Sequence, residues 1–471
     1  WRCCRPRRRP DALGIPTDRT DRSQDQEGFP AFRDRLAAAY PTAFTRMAWQ
    51  LYRLTRGDSP LGKVHERHKA LAPLTLEYLF ARRRPPLPPS PRADVLVTLF
   101  PWRPDYLGLL APVAAELARR GTAVATLVPT EADAPDLGVP TLRLGSYAGP
   151  GAYAFARRRR AALAGHVRRF AAEHALDAAG RTALTLLAHN YLWQEAATRA
   201  ALADVRPRAV LGLHFMTEAG LRGGVDQFRS AGARPPVVLL QHGLFSGDWP
   251  THDFHGADLV LLWGETSRAE LARFPDPPPA VVVGNPRLAA LGAAAPASEG
   301  ASTVLVAGTN ADPDTGRRAL VTALEALRDL PGVRVRVRPH PREPRSVYAE
   351  AEATGLLTPD MMDTSPDPYA SVRAATVVVG TASTLLPEAV ALGVPAVQVV
   401  DGEEQVWWAD GMAAASSTAD LRSVVRRLLE DDAYRAEVMA RESATARAAF
   451  GDPGRAAELA AEAVLARMEE G

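Results

Sequence analysis

Three short stretches of this sequence combine residue types that bind anions or move protons. Gln241-His242-Gly243 follows the apolar run Val237 to Leu240. Glycine there permits a tight turn and close approach of a ligand, and histidine titrates near neutrality, so His242 is the leading general-base candidate. A histidine merely hydrogen-bonded at a strand end is the ordinary alternative. Arg338-Pro339-His340-Pro341-Arg342 closes the run that begins at Val333. Its prolines fix the backbone on both sides of His340, while Arg338 and Arg342 flank it with permanent charge, a turn suited to a nucleotide's base, ribose or phosphate. An edge strand with solvated arginines is the alternative, because strict Val/Arg alternation is less apolar than a central parallel strand. Gly380-Thr-Ala-Ser-Thr384 leaves the run Thr376 to Val379 and opens a helix. The hydroxyls of Thr381, Ser383 and Thr384, with the free N–H groups of a helix start, would hold phosphate, and Glu388 one turn on would accept from ribose hydroxyls. Serine and threonine also serve ordinary caps.

Other candidates carry less. Gly308-Thr309-Asn310 ends another apolar run, and Gly308 and Asn310 would line the same phosphate pocket. The segment matches neither a Walker loop nor a GxGxxG fingerprint, which argues against P-loop ATP hydrolysis and nicotinamide chemistry. Glu218, in His214-Phe-Met-Thr-Glu-Ala-Gly220, is a second base candidate; a helix-start carboxylate is its ordinary explanation. His252 and His255 lie near Asp253 and Asp258, but no helical spacing aligns them and no cysteine helps, so neither a metal nor a cofactor is expected. Arg157, Arg158, Arg159 and Arg160, followed by Arg168 and Arg169, have no acidic residue among positions 151–171. On a helix they would meet phospholipid headgroups or an anionic acceptor, or form a solvated face.

The elements that must position these residues alternate in type. Short β-branched runs (Asp94 to Phe100, Ala123 to Val128, Ala209 to Leu213, Val237 to Leu240) are separated by helical periodicity, as in a parallel sheet covered by helices. The pattern restarts at Thr303 and continues through Val333, Thr376 and Val394. The expected fold is α/β: two Rossmann-like, doubly wound parallel-sheet lobes with an N-terminal helical extension. Residues 1–28 have a disordered composition, and 29–91 read as a helical extension ending in a Pro-rich linker. Residues 92–285 form the N-terminal acceptor lobe, 286–302 a hinge, and 303–471 the C-terminal nucleotide-donor lobe with a helical tail.

At 471 residues and 46% hydrophobic composition the chain can bury sizeable cores, and a net charge of +2 does not suit a nucleic-acid partner. Only two lysines, Lys63 and Lys69, stand among 56 basic residues, so arginine number reflects a composition bias rather than a binding signal. The adjacent Cys3 and Cys4 allow no disulfide framework, which points to a reducing compartment. The start lacks Met and any apolar run behind its arginines, and reads as a fragment edge or a mispredicted start rather than a complete signal peptide. With no run of roughly 20 apolar residues, the expected location is cytoplasmic, peripheral at the inner face of the membrane.

Taken in order, Gln241-His-Gly243, Trp263-Gly264, Gly284-Asn-Pro-Arg287, Arg338-Pro-His-Pro341 and Thr381-Ala-Ser-Thr384 with Glu388 resemble the GT-B transferases of bacterial surface-polysaccharide assembly. The likeness is to the capsule polysialyltransferase and teichoic-acid CDP-glycerol glycerophosphotransferase types, and it spans about residues 94–450. It implies that His340-Pro341 contacts a cytidine nucleotide, that Ser383-Thr384 binds its phosphate, and that His242 enters the active site. The polysialyltransferase type uses a first-lobe acidic base, which Glu218 matches loosely. The implied activity is metal-independent transfer of a sugar or glycerophosphate from a CMP- or CDP-linked donor, with UDP as the alternative, to a glycan or lipid-linked acceptor. Two rivals are a UDP-N-acetylglucosamine 2-epimerase-like enzyme and a catalytically inactive polymer- or membrane-binding protein. Glu218-Ala-Gly-Leu-Arg222 spells part of an epimerase motif, but that motif belongs after the strand that here runs into Gln241-His-Gly243.

Overall fold

The computed structural model describes residues 29–55, 92–99, 104–128, 137–147, 149–213, 219–230, 232, 234–244, 254, 256–274, 276–289, 302–309, 313–341, 343–381, 383–400 and 411–470. The expected disorder of residues 1–28, the Pro-rich linker, Glu218, Asn310 and Arg342 lie outside them.

Three helices come first: α1 (Phe29–Ala39), α2 (Thr42–Thr45) and α3 (Ala48–Thr55). The first lobe follows as β1 (Val95–Thr98), α4 (Pro104–Arg119), β2 (Val124–Val128), β3 (Thr141–Arg143), α5 (Pro150–Glu173), α6 (Ala178–Val205), β4 (Ala209–Gly212), α7 (Ala219–Ser230), β5 (Val237–Leu240), β6 (Leu259–Leu262), α8 (Glu265–Leu271), β7 (Ala280–Val282) and α9 (Pro286–Ala289). The second comprises β8 (Ser302–Ala307), α10 (Pro313–Leu327), β9 (Val333–Arg338), α11 (Ser346–Ala353), α12 (Pro368–Arg373), β10 (Val377–Gly380), α13 (Leu385–Ala391), β11 (Ala396–Val399), β12 (Ala413–Ala415), α14 (Thr418–Glu430), α15 (Asp432–Phe450) and α16 (Ala456–Glu470).

Strands β1, β2, β4 and β5 are buried along their whole length, as parallel strands with helices on both faces must be. The first sheet has seven strands in the order β3-β2-β1-β4-β5-β6-β7, the second five in the order β12-β11-β10-β8-β9. Every pairing is parallel. The doubly wound α/β class read from the sequence is therefore the observed one. Strand β9 lies at the sheet's edge, which accounts for its Val/Arg alternation. The helical extension docks on the first lobe: Phe44, Met47 and Leu51 bury with Phe170 of α5 and Leu184 of α6.

The chain passes between the lobes twice. After α15 it turns at Gly451, and α16 packs on α4 of the first lobe, burying Ala460, Val464 and Met468 in the core that holds Leu110 and Val113. Arg120, at the end of α4, pairs with Glu462 at 3.1 Å. The sequence assigns the whole helical tail to the second lobe; α16 instead belongs to the first, because its apolar stripe completes that lobe's core. The two passages touch: the amide of Asn285 donates to the carbonyl of Phe450 at 2.9 Å. Gly284 makes this approach possible, with a φ of +94° and a position for Cβ only 2.8 Å from the Asp452 carbonyl oxygen. One apolar core continues from Trp263 and Phe450 into Val378 and Leu386 of the second lobe.

Candidate active site

In open parallel sheets ligands sit outside the carboxyl ends of the strands where the strand order reverses. In the first sheet the reversal lies between β1 and β4, and β5 is the next strand along. The turn after β5 is held by the side chain of Gln241, which is completely buried. Its Oε1 accepts from the amide of Trp263 at 2.7 Å, and its Nε2 donates to the carbonyl of Gly243 and the hydroxyl of Ser267, each at 2.8 Å. This network ties the turn to the tip of β6 and to α8. His242 stands half-buried on the turn, its ring edge-on to Tyr106 of the first turn of α4 at a centroid distance of 5.6 Å.

In the second sheet the reversal lies between β8 and β10, whose tips carry Gly308-Thr309 and Gly380-Thr381. A recess there is lined by Gly308, Thr309, Glu343, Tyr348, Gly380 and Thr381. Glu343 joins its parts: its carboxylate accepts from the amide of Thr309 at 3.4 Å, the amide of His340 at 3.3 Å and the hydroxyl of Tyr348. Burial, then the hydrogen bond to Glu343, raises the Tyr348 phenol above its usual range. Gly308 is pressed against the His340 turn, its amide donating to the Arg338 carbonyl at 2.8 Å. A Cβ at Gly308 would lie 2.6 Å from the His340 amide nitrogen. His340 is half-buried and Pro341 exposed.

Arg338 turns away from the recess. Its guanidinium donates to Asp363 at 2.7 Å, the Ser365 carbonyl at 3.0 Å and the Ser371 hydroxyl at 3.1 Å. Burial pushes the Asp363 carboxyl up, but Ser371 and Arg338 outweigh it and hold the group below the usual carboxylate range. Arg338 thus braces the edge of the sheet, with its charge already matched. Thr381 and Ser383 are buried and Thr384 is exposed. The Ser383 hydroxyl accepts from the Leu385 amide two residues on at 3.4 Å, a local turn bond. Helix α13 is only seven residues long, so the macrodipole expected behind this loop is weak.

The two lobes are joined through Arg287, on α9. Its amide donates to the side chain of Asn285 at 3.1 Å, which anchors it to the inter-lobe junction. A Cβ at Gly108, two residues after Tyr106 on α4, would lie 3.0 Å from the Arg287 Cγ. On the other side the guanidinium pairs with Glu388 of α13 and lies over the Tyr369 ring of α12 at 5.3 Å. Glu388 is 3% exposed, so the carboxylate expected to meet ribose is paired across the lobes. A line of contacts therefore runs from His242 through Tyr106, α4, Arg287 and Glu388 to the Ser383-Thr384 loop.

Sequence reasoning missed Glu343, Tyr106 and the role of Arg287. An acidic residue three positions after His340 was the available signal for the first, and the Gly284-Asn-Pro-Arg287 motif marked the place of Arg287 but not its partner; nothing local pointed to Tyr106. The arginine group on α5 is also divided. Arg157, Arg158 and Arg160 are exposed, whereas Arg159 turns inward to Glu195 at 3.5 Å. Of the weighed metal ligands, only Asp258 is described; it accepts from the Val237 amide at 2.7 Å and pairs with Arg229 at 3.1 Å. Among the described residues no helix is long and apolar enough to cross a membrane.

The two-lobed architecture is that of the GT-B fold. The chain is similar to a Listeria monocytogenes protein described as a UDP-N-acetylglucosamine 2-epimerase, with a TM-score of 0.54 and 15% identity over 80% of this chain and 98% of that one. Further similar structures are the UDP-GlcNAc 2-epimerase from Neisseria meningitidis (TM-score 0.49, 13% identity, 79% of this chain and 99% of that one) and a glycosyltransferase from Rickettsia africae (TM-score 0.48, 9% identity, 80% and 98%). No protein family and no curated protein matches this chain.

Proposed function

We propose that this protein is a nucleotide-dependent GT-B transferase that moves a sugar or glycerophosphate from a cytidine-activated donor to a hydroxyl of a cell-surface glycan or lipid-linked acceptor. The observation that supports this reading is the Arg287–Glu388 pair, which links α9, packed against α4 of the first lobe, to α13, the helix that follows the Ser383-Thr384 loop. In the proposed reaction the acceptor oxygen attacks the transferred group as its bond to the donor phosphate breaks. His242 takes the acceptor proton, and the 381–384 loop holds the departing phosphate. His340 and the Glu343-braced turn grip the nucleoside. The exposed Arg157, Arg158 and Arg160 support an anionic acceptor or membrane face, which sedimentation with anionic vesicles tests.

The epimerase reading shares the fold. Against it, Ala219 to Arg222 lie on α7 after β4, while β5 runs into Gln241-His242-Gly243. Calorimetry with CMP, CDP and UDP, followed by donor-consumption assays, separates the readings. His340→Ala should weaken nucleotide binding, whereas His242→Ala should spare binding and lower turnover by about 10²- to 10⁴-fold. Wild-type activity in both variants would remove the site assignment.

A further inference from the structure

We infer that Arg287 is the cation for the donor phosphate, held by Glu388 until the nucleotide arrives and exchanged to the phosphate when ribose occupies Glu388. The inference rests on the donor-site reading above and adds to it a residue and an exchange. Arg338 is matched by Asp363, whereas Arg287 pairs with a residue of the helix that follows the proposed phosphate loop: Glu388 sits one helical turn after Thr384, with the Glu388 amide donating to the Thr384 carbonyl at 3.2 Å.

The pair is poised rather than sealed. The Arg287 side chain keeps 17% of its surface exposed, against 4% for Glu388. Removing a cation from a buried carboxylate is ordinarily costly, because it strands the charge. Here ribose hydroxyls would donate to Glu388 as the guanidinium leaves, and the phosphate, an anion that arginine binds through paired N–H groups, would accept the guanidinium. The Tyr369 face at 5.3 Å gives the guanidinium a surface to pivot on, while the Asn285 bond fixes its backbone. Nucleoside and phosphate would thus be sensed together, because each relieves the group that the other displaces.

The test is calorimetry of wild type, Arg287→Ala and Glu388→Gln with cytidine, CMP and CDP. For Arg287→Ala the expected result is a loss of about 10- to 100-fold in CDP affinity, from removal of charge-assisted hydrogen bonds, with cytidine binding unchanged or tighter. Glu388→Gln should weaken all three ligands by similar factors. Should Arg287→Ala not fold, Arg287→Gln, which can still donate to Glu388, carries the same comparison. Equal losses for cytidine and CDP on removal of Arg287 would reduce it to a structural brace and overturn the inference, as would unchanged CDP affinity. Wild-type protein that binds none of the three ligands overturns the donor assignment itself and this inference with it.

Discussion

At the tip of the first sheet the turn bearing His242 is held by uncharged groups, the Gln241 amide satisfied by one amide, one carbonyl and one hydroxyl. At the tip of the second sheet the positioning groups are ionic: Glu343 gathers three donors, Arg338 is matched by Asp363 and Arg287 by Glu388. A neutral network positions the turn through hydrogen bonds alone. The two matched arginines add no net charge to this tip, yet remain cations that a phosphate can recruit, while Glu343 is met by uncharged donors. The contrast suits a proton-handling tip facing a phosphate-handling one.

Breaking the neutral tip should have the larger effect on stability. Gln241→Leu strands the Trp263 amide and the Gly243 carbonyl and frees the Ser267 hydroxyl, a cost of about 4 kcal/mol in denaturant unfolding at roughly 1–3 kcal/mol per buried group. Nucleotide affinity should hold while turnover falls; equal loss of both would mean that the two tips are not separable.

The second tip's lobe also contains a buried carboxylate whose hydrogen-bond partners are backbone amides. Glu442 accepts from Ala396 at 3.2 Å and Ala413 at 2.9 Å, and burial pushes its carboxyl up to about 7. Its value in the unfolded chain is near 4.5, so between those pH values the unfolded state releases the proton that the folded state retains. The Glu442 contribution is therefore present in full below pH 4.5 and lost as pH rises through about 7. The loss is at most about 3 kcal/mol, at roughly 1.4 kcal/mol per pH unit. Subtracting the stability–pH profile of Glu442→Gln from that of wild type isolates this slope, and parallel profiles would refute it.

The smallest stability effect, about 2 kcal/mol of overpacking, is expected for Gly308→Ala, which sharpens the comparison by straining the second tip alone. The added methyl meets both the Glu343 carboxylate and the His340 backbone. Truncating Glu343 should therefore not restore nucleotide affinity, whereas full rescue would place the strain on the side chain only.

Much of this was legible in local sequence. Apolar runs of four to six residues separated by helical periodicity specify parallel strands between helices, since only such strands are buried on both faces. The polar residues that end those runs, Gln241-His-Gly243 and Gly380-Thr381, must then emerge at one edge of each sheet. Charge partnership was not legible. Arg338 read as a phosphate ligand because its own neighbours are basic, but Asp363 reaches it from 25 residues away. Arg287 and Glu388, 101 residues apart, meet across the junction where the chain passes between the lobes. Residue type and period are local properties, written into each element; which cation faces which carboxylate depends on how the completed lobes pack, and that is set by the shared core at Trp263 and Phe450.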